Sequence, residues 1–369
     1  MSRWLSALAL TLFLATPGLA EEVDATAPSK TLSEEATKQV MAKVVDDFIR
    51  PGYRAFAGES AMLTDAMAGL CAAPSQKSYE AAQSAFEHAA RSWSRIEIVR
   101  VGPVLDAYRF ERILFYPDRK GTGLRQVQAV LAGADDGATS PAGLAQKSVA
   151  VQGLGALEFV LYGTGKDVLL SEKDSFRCRY GLSIAGNVQR IATELTQLWD
   201  EPDGIQEDWK NPGADSAVFR DGHEGVTEAL GILVHSAEAA RDQRIETFYK
   251  GEANNTFPRQ ALFWRSKLTF SMLAGNLEGI HRLLDTSGFR DLLAPDQQPI
   301  VGSIDDLLIS LTKLANEMEP DVEVAVADQA QRQKLDVLLK DSRDLILRLS
   351  DGLGGGLGLG AGFSFSDGD

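Results

Sequence analysis

The apolar residues of this chain recur at steps of three and four over most of its length, and that spacing limits its fold more than any other feature. Leu32, Ala36, Val40, Val44 and Phe48 follow one another every four residues, with Met41 and Val45 widening the stripe. Side chains so placed share one face of a helix, which repeats every ~3.6 residues. Pro51-Gly52 is expected to kink or end this first helix before Tyr53 and Phe56 resume its apolar face. Tyr79, Ala82, Phe86, Ala89, Trp93, Ile96 and Arg100 make a second stripe, heavy in aromatics and ending on an arginine. Similar patterns run through residues 144–162, 176–199, 218–248, 265–284, 304–318 and 329–349. Strand-like alternation is scarce and no hairpin dipeptide separates two apolar runs, so the expected fold class is all-α.

A chain of 369 residues exceeds one ordinary core, which makes two domains the expectation. The turn-rich stretch from Asp200 to Asp215 carries two prolines and marks the boundary. A first helical bundle is therefore expected over 31–200, a linker over 201–215 and a second bundle over 216–350. Gly155-Ala-Leu-Glu158 matches Gly275-Asn-Leu-Glu278, and Lys147 matches Lys267, so the bundles read as a weak internal repeat. Residues 351–369 form a glycine-rich C-terminal segment. Its Phe363 and Phe365 favour a docked end over a solvated tail, because a flexible linker has no use for them.

At the N-terminus, Arg3, the apolar run Leu5–Leu14 and the turn-prone Thr16-Pro17-Gly18 before Ala20 have the form of a secretory signal peptide over residues 1–20. A polar leader over 21–30 would follow. The apolar run is too short to span a bilayer, no later segment is long and apolar enough, and no cysteine stands where a lipid anchor would need one. Export to the periplasm or cell envelope is the expectation. The net charge of −15, one unit lower once Arg3 is removed, would repel nucleic acid and anionic lipid surfaces. Small cations are better matched partners, although the acid also serves solubility alone. In an oxidising compartment Cys71 and Cys178 could form one structural disulfide or remain two buried thiols.

Several catalytic signatures are missing: a phosphate loop, His-Glu-x-x-His, Gly-x-Ser-x-Gly and Cys-x-x-Cys. The chain has four histidines, too few for a histidine-rich metal centre. Its most informative stretch is Val151–Gly163, where Glu158 stands in an otherwise apolar helix. A carboxylate there needs a cation or a set of donors to be buried. Gly153 and Gly155 lower helix stability and suggest close backbone approach. The alternatives are a helix crossing with Glu158 paired to an arginine, and a ligand or metal site. Arg109 and Arg112, one helical turn apart, could both point at that carboxylate or could form a solvated basic face. His235 with Glu238, and Glu278 with His281, each place imidazole and carboxylate on one helical face, for a metal or for ordinary hydrogen bonding.

Taken in order, Pro51-Gly-Tyr-x-x-Phe56, Trp93, Arg100-x-Gly-Pro103, Phe115-Tyr-Pro-Asp118, Gln152-Gly-Leu-Gly-Ala-Leu-Glu158, Tyr162-Gly163 and the closing Gly362–Asp369 resemble the imelysin-like family of bacterial envelope proteins. The resemblance implies two helical-bundle domains, a periplasmic or outer-membrane location and a link to iron acquisition. It also implies a Gly-x-His-x-x-Glu motif, for which the family is catalogued among metallopeptidases. Here Gly153 and Glu158 match while the histidine position is Gly155, which has no ligand atom. The expected function is therefore a non-catalytic accessory of iron uptake or handling, with a ligand groove lined by Gly153, Gly155, Glu158, Arg109 and Arg112. Two rivals stand beside it. One is a metallopeptidase taking a divalent metal or iron on Glu158, His281 and Glu278; the other is a scaffold that receives another envelope protein.

Overall fold

The computed structural model describes residues 32–359. The signal peptide at 1–20, the leader at 21–30 and the end of the glycine-rich segment, 360–369, lie outside the described residues. Ser33 starts helix α1 (Glu34–Lys43) by accepting a hydrogen bond from the Ala36 N–H. The chain then stays helical through Pro51: residues Val44–Ile49 widen into a π-turn that runs into α2 (Arg50–Ala72). Proline has no N–H to donate and its ring crowds the preceding turn, so a local widening there keeps the helix going where the sequence suggested an end or a kink. Valines 44 and 45, Phe48 and Ile49 are buried by the same turn.

Helix α3 (Gln76–Ile96), capped by Ser75, buries Tyr79, Ala82, Phe86, Ala89 and Trp93 along the predicted stripe. Trp93 packs 5.1 Å from Phe56 of α2 and 5.5 Å from Phe110, ring centre to ring centre. The expected long helix over 144–162 is broken. A short 3-10 turn at Val149–Val151 precedes Gly153, whose extended backbone opens α4 (Leu154–Tyr162). Helix α5 (Phe176–Asp200) lies along α2, joined to it by the Cys71–Cys178 disulfide at one end. At the other end Asp200 accepts from Arg50 (2.9 Å) and Arg54 (2.8 Å).

The later helices are α6 (Gly222–Asp242), started by the Asp221 cap, α7 (Thr269–Ser287), α8 (Pro299–Asn316) and α9 (Gln329–Leu347). Among the described residues the only sheet-like pairing is the isolated bridge between Tyr249 and Thr256. Residues 201–215 contain a short helix, Ile205–Lys210, whose buried Trp209 meets Trp199 and Phe219 edge-on at 5.5 and 5.2 Å. Helices from either side of that stretch pack directly. Gly275 and Gly279 of α7 lie so close to Ser94 and Arg95 of α3 that a Cβ at either glycine would overlap them.

Candidate functional site

The stretch singled out in the sequence sits at the start of α4. A Cβ on Gly153 would collide with the carbonyl oxygens of Arg112 and Ile113, so close backbone approach explains this glycine. Gly155 is different. A Cβ there would meet nothing nearer than the Phe115 carbonyl at 4.0 Å, because the residue opens onto a small groove of about 140 Å³. Tyr116, Asp118, Glu158, Phe263 and Arg265 share its lining.

Glu158, 4 % exposed, spends its carboxylate on a loop before α7. Its Oε1 accepts from the N–H of Arg265 (3.0 Å), the N–H of Ser266 (3.0 Å) and the Ser266 hydroxyl (3.1 Å). The Arg265 guanidinium stands 3.6 Å from Oε2. Burial pushes the Glu158 carboxyl above the usual range, and the charge of Arg265 and the three hydrogen bonds offset that only in part. The anchored loop carries Phe263 (φ 55°) and Lys267 (φ 61°), both in left-handed backbone that bulky residues avoid. Arg265 lies over Trp264 at 4.4 Å and Phe159 at 5.3 Å, which fixes its charge beside the carboxylate.

The arginines expected beside Glu158 are elsewhere. Arg109 donates to the Pro103 carbonyl (2.9 Å) and to Glu194 (3.4 Å), while the Arg112 Nε is buried with no hydrogen-bond partner. Neither lines the groove. Their helix, Arg109–Ile113, is one short turn entered through left-handed Ala107 and Tyr108, so its orientation is set by that strained turn and not by a continuous stripe. The set Glu158, His281 and Glu278 is not assembled either. His281 pairs with Asp305, and Glu278 accepts from Arg91 (3.3 Å) and Arg95 (2.7 Å). His235 meets Glu238 at 3.1 Å, as their spacing allows. Among the described residues no group of three or more His, Cys, Asp or Glu side chains could hold a metal ion. The Glu158 site is also unsuited to a metal by chemistry: hydrogen-bond donors fill one carboxylate oxygen, a guanidinium cation faces the other, and Gly155 offers no ligand.

A larger cleft, about 760 Å³, opens between residues 97–105 and α6. In its floor Arg244 donates to Glu97 (2.7 Å) and Asn276 (3.1 Å), and Asn276 donates to the same Glu97 oxygen (2.7 Å). All three are buried. Arg100, half-buried over the Phe110 ring at 4.6 Å, donates to Gln243 at 3.3 Å. Burial pulls Arg100 down to about 10, with the Arg244 charge acting the same way and Glu97 opposing. Sequence reasoning placed Arg100 at the end of a helical stripe but missed Glu97, Arg244 and Asn276. Glu97 carried the signal that revealed Glu158, an acid set between apolar neighbours, Ile96 and Ile98.

The all-helical architecture has the fold of imelysin-like proteins. It is similar to the crystal structure of an imelysin-like protein from Psychrobacter arcticum 273-4, with a TM-score of 0.74 at 20% identity over 90% of this chain and 99% of that one. A protein from Parabacteroides distasonis ATCC 8503, named as an iron-regulated protein A precursor, is similar at a TM-score of 0.70 and 14% identity, over 88% of this chain and 96% of that one. The imelysin family model matches residues 49–349, and the chain belongs to that family. No curated protein matches it. Among the described residues no helix is long and apolar enough to cross a membrane.

Proposed function

We propose that this imelysin-family protein is a non-catalytic, ligand-binding accessory of iron uptake or handling in the cell envelope. The observation that carries the first part is the state of Glu158, whose carboxylate is consumed in anchoring the strained loop at 263–267. A catalytic metal would have to displace those donors and sit beside Arg265. The iron link draws on the name of the Parabacteroides distasonis protein and on the family. Export draws on the form of residues 1–20, read as a signal peptide.

Metal analysis of protein purified without chelator, followed by a peptide-cleavage assay with and without chelator, tests this reading. Sub-stoichiometric metal and no chelator-sensitive cleavage are expected. A tightly bound stoichiometric metal, lost together with cleavage in Glu158→Ala, would show the protein to be a metallopeptidase instead. Mass spectrometry of fractionated cells should find a mature chain beginning near Glu21 outside the cytoplasm.

A further inference from the structure

The floor of the larger cleft is not electrically balanced. Arg244 pairs with the buried Glu97 carboxylate at 2.7 Å, while Arg100, on the same lining, donates to the neutral amide of Gln243, so two guanidinium groups stand there against one paired carboxylate. The Arg244 side chain is 3% exposed and spends Nε and Nη2 on Asn276 and Glu97, but its Nη1 has no hydrogen-bond partner. Glu97 Oε2 has none either. A buried cation short of partners is costly, so an oxyanion that meets Arg100 and Arg244 would be stabilised by them, with Glu97 Oε2 as the opposing charge.

The rim has the opposite character. Glu228, Glu238 and Asp242 line it, with Arg119 and His235 among them, and Ile98, Val101, Leu105 and Ile232 supply an apolar stretch of wall. Leu105 is 56% exposed. The chain's net charge of −15 repels multiply charged anions at a distance, which leaves the arginine floor open to an anionic group carried on a molecule without net negative charge. The cleft volume of about 760 Å³ lies within the range of small-molecule sites.

We propose that this cleft binds a zwitterion, a free amino acid or short peptide whose carboxylate reaches Arg100 and Arg244 while its ammonium lies toward the acidic rim. The proposal rests on the binding-protein reading above and gives that protein its ligand class. Glu158 and its loop have no part in it.

Calorimetric titration of the full mature protein with the tripeptide alanyl-leucyl-lysine, its C-terminal amide and its N-acetyl form tests the assignment. The free acid should bind at least about tenfold more tightly than the amide, the scale of one charge-assisted hydrogen bond. Arg100→Gln, which leaves only Arg244 for the carboxylate, should reduce that difference and Arg100→Lys should reduce it less, with circular dichroism showing both variants folded. Glu228→Gln should narrow the gap between the free and N-acetylated peptides. Equal affinity for acid and amide, binding of neither, or an unchanged preference in Arg100→Gln would overturn the cleft assignment and leave the binding-protein reading to its own metal and cleavage tests. Peptide recovered intact after binding supports both readings. Peptide that binds with the acid preference but is recovered cut would overturn the non-catalytic reading and leave the ligand class standing.

Discussion

At the scale of single residues, the chemistry of this protein turns on two acids that the chain buries. Glu158 accepts three hydrogen bonds on one oxygen from the loop that carries left-handed Phe263 and Lys267. Replacing it by glutamine keeps the accepting oxygen but takes the charge away from Arg265, so Glu158→Gln should cost less than Glu158→Ala, which also strands three donors and should cost ~3–5 kcal/mol in a thermal or urea melt. The pH dependence has a definite sign. Because burial raises the Glu158 carboxyl above its ordinary value, the stability it contributes is fully present below the usual glutamate range and is lost as pH rises through the raised value. Wild type should therefore lose ground to Glu158→Gln on going from acid to neutral pH, and an unchanged difference would mean that the carboxyl titrates normally. Gly155→His, with open space beyond its Cβ, should fold yet gain little affinity for a divalent transition metal, since Glu158 is already engaged. Tight metal binding by that variant would show that the donors of the loop are easily displaced.

At the scale of elements, helix α5 is fastened to α2 at both ends, by the Cys71–Cys178 disulfide and by Asp200. Burial alone would raise the Asp200 carboxyl, but hydrogen bonds and charge from Arg54 and Arg50 hold it below the usual range. Its contribution is thus present above the ordinary aspartate value and lost as pH falls through the lowered one. The side chains are 21–51% exposed, so solvent screens the cluster and Asp200→Asn should cost only ~0.5–1 kcal/mol at pH 7. Denaturant melts of the two proteins should converge as pH falls below the lowered Asp200 value. A gap that persists there would assign the loss to packing.

At the scale of the molecule, we propose two helical bundles that meet around residues 201–215 and unfold together. The cluster of Glu97, Arg244 and Asn276 ties the end of α3, the segment after α6 and α7 into one buried network, and α3 lies against α7 through Gly275 and Gly279. Breaking one half would expose charges in the other. Scanning calorimetry should record a single transition, while two separated transitions would make the bundles independent domains. Among the described residues, first proteolytic cuts are expected in 211–218, a largely exposed stretch beyond buried Trp209.

The sequence by itself determined most of the helical faces, because such a face is written in spacing: Val40, Phe86, Trp93 and Leu338 are buried where period and apolarity say they must be, while the breaks before Gly153 and at 265–268 were not legible in it. It also marked Glu158 as an acid in need of partners. Who those partners are could not be read along the chain. Arg265 lies more than a hundred residues downstream in a non-helical loop, whereas Arg109, the nearer candidate, is turned away by left-handed Ala107 and Tyr108. Periodicity reports which face of a helix is apolar but carries no information on which distant segment covers it. The same holds for Arg100, Glu97 and Arg244, which become one site only when α3, α6 and α7 pack, since a buried charge finds its counter-charge through space and not through sequence.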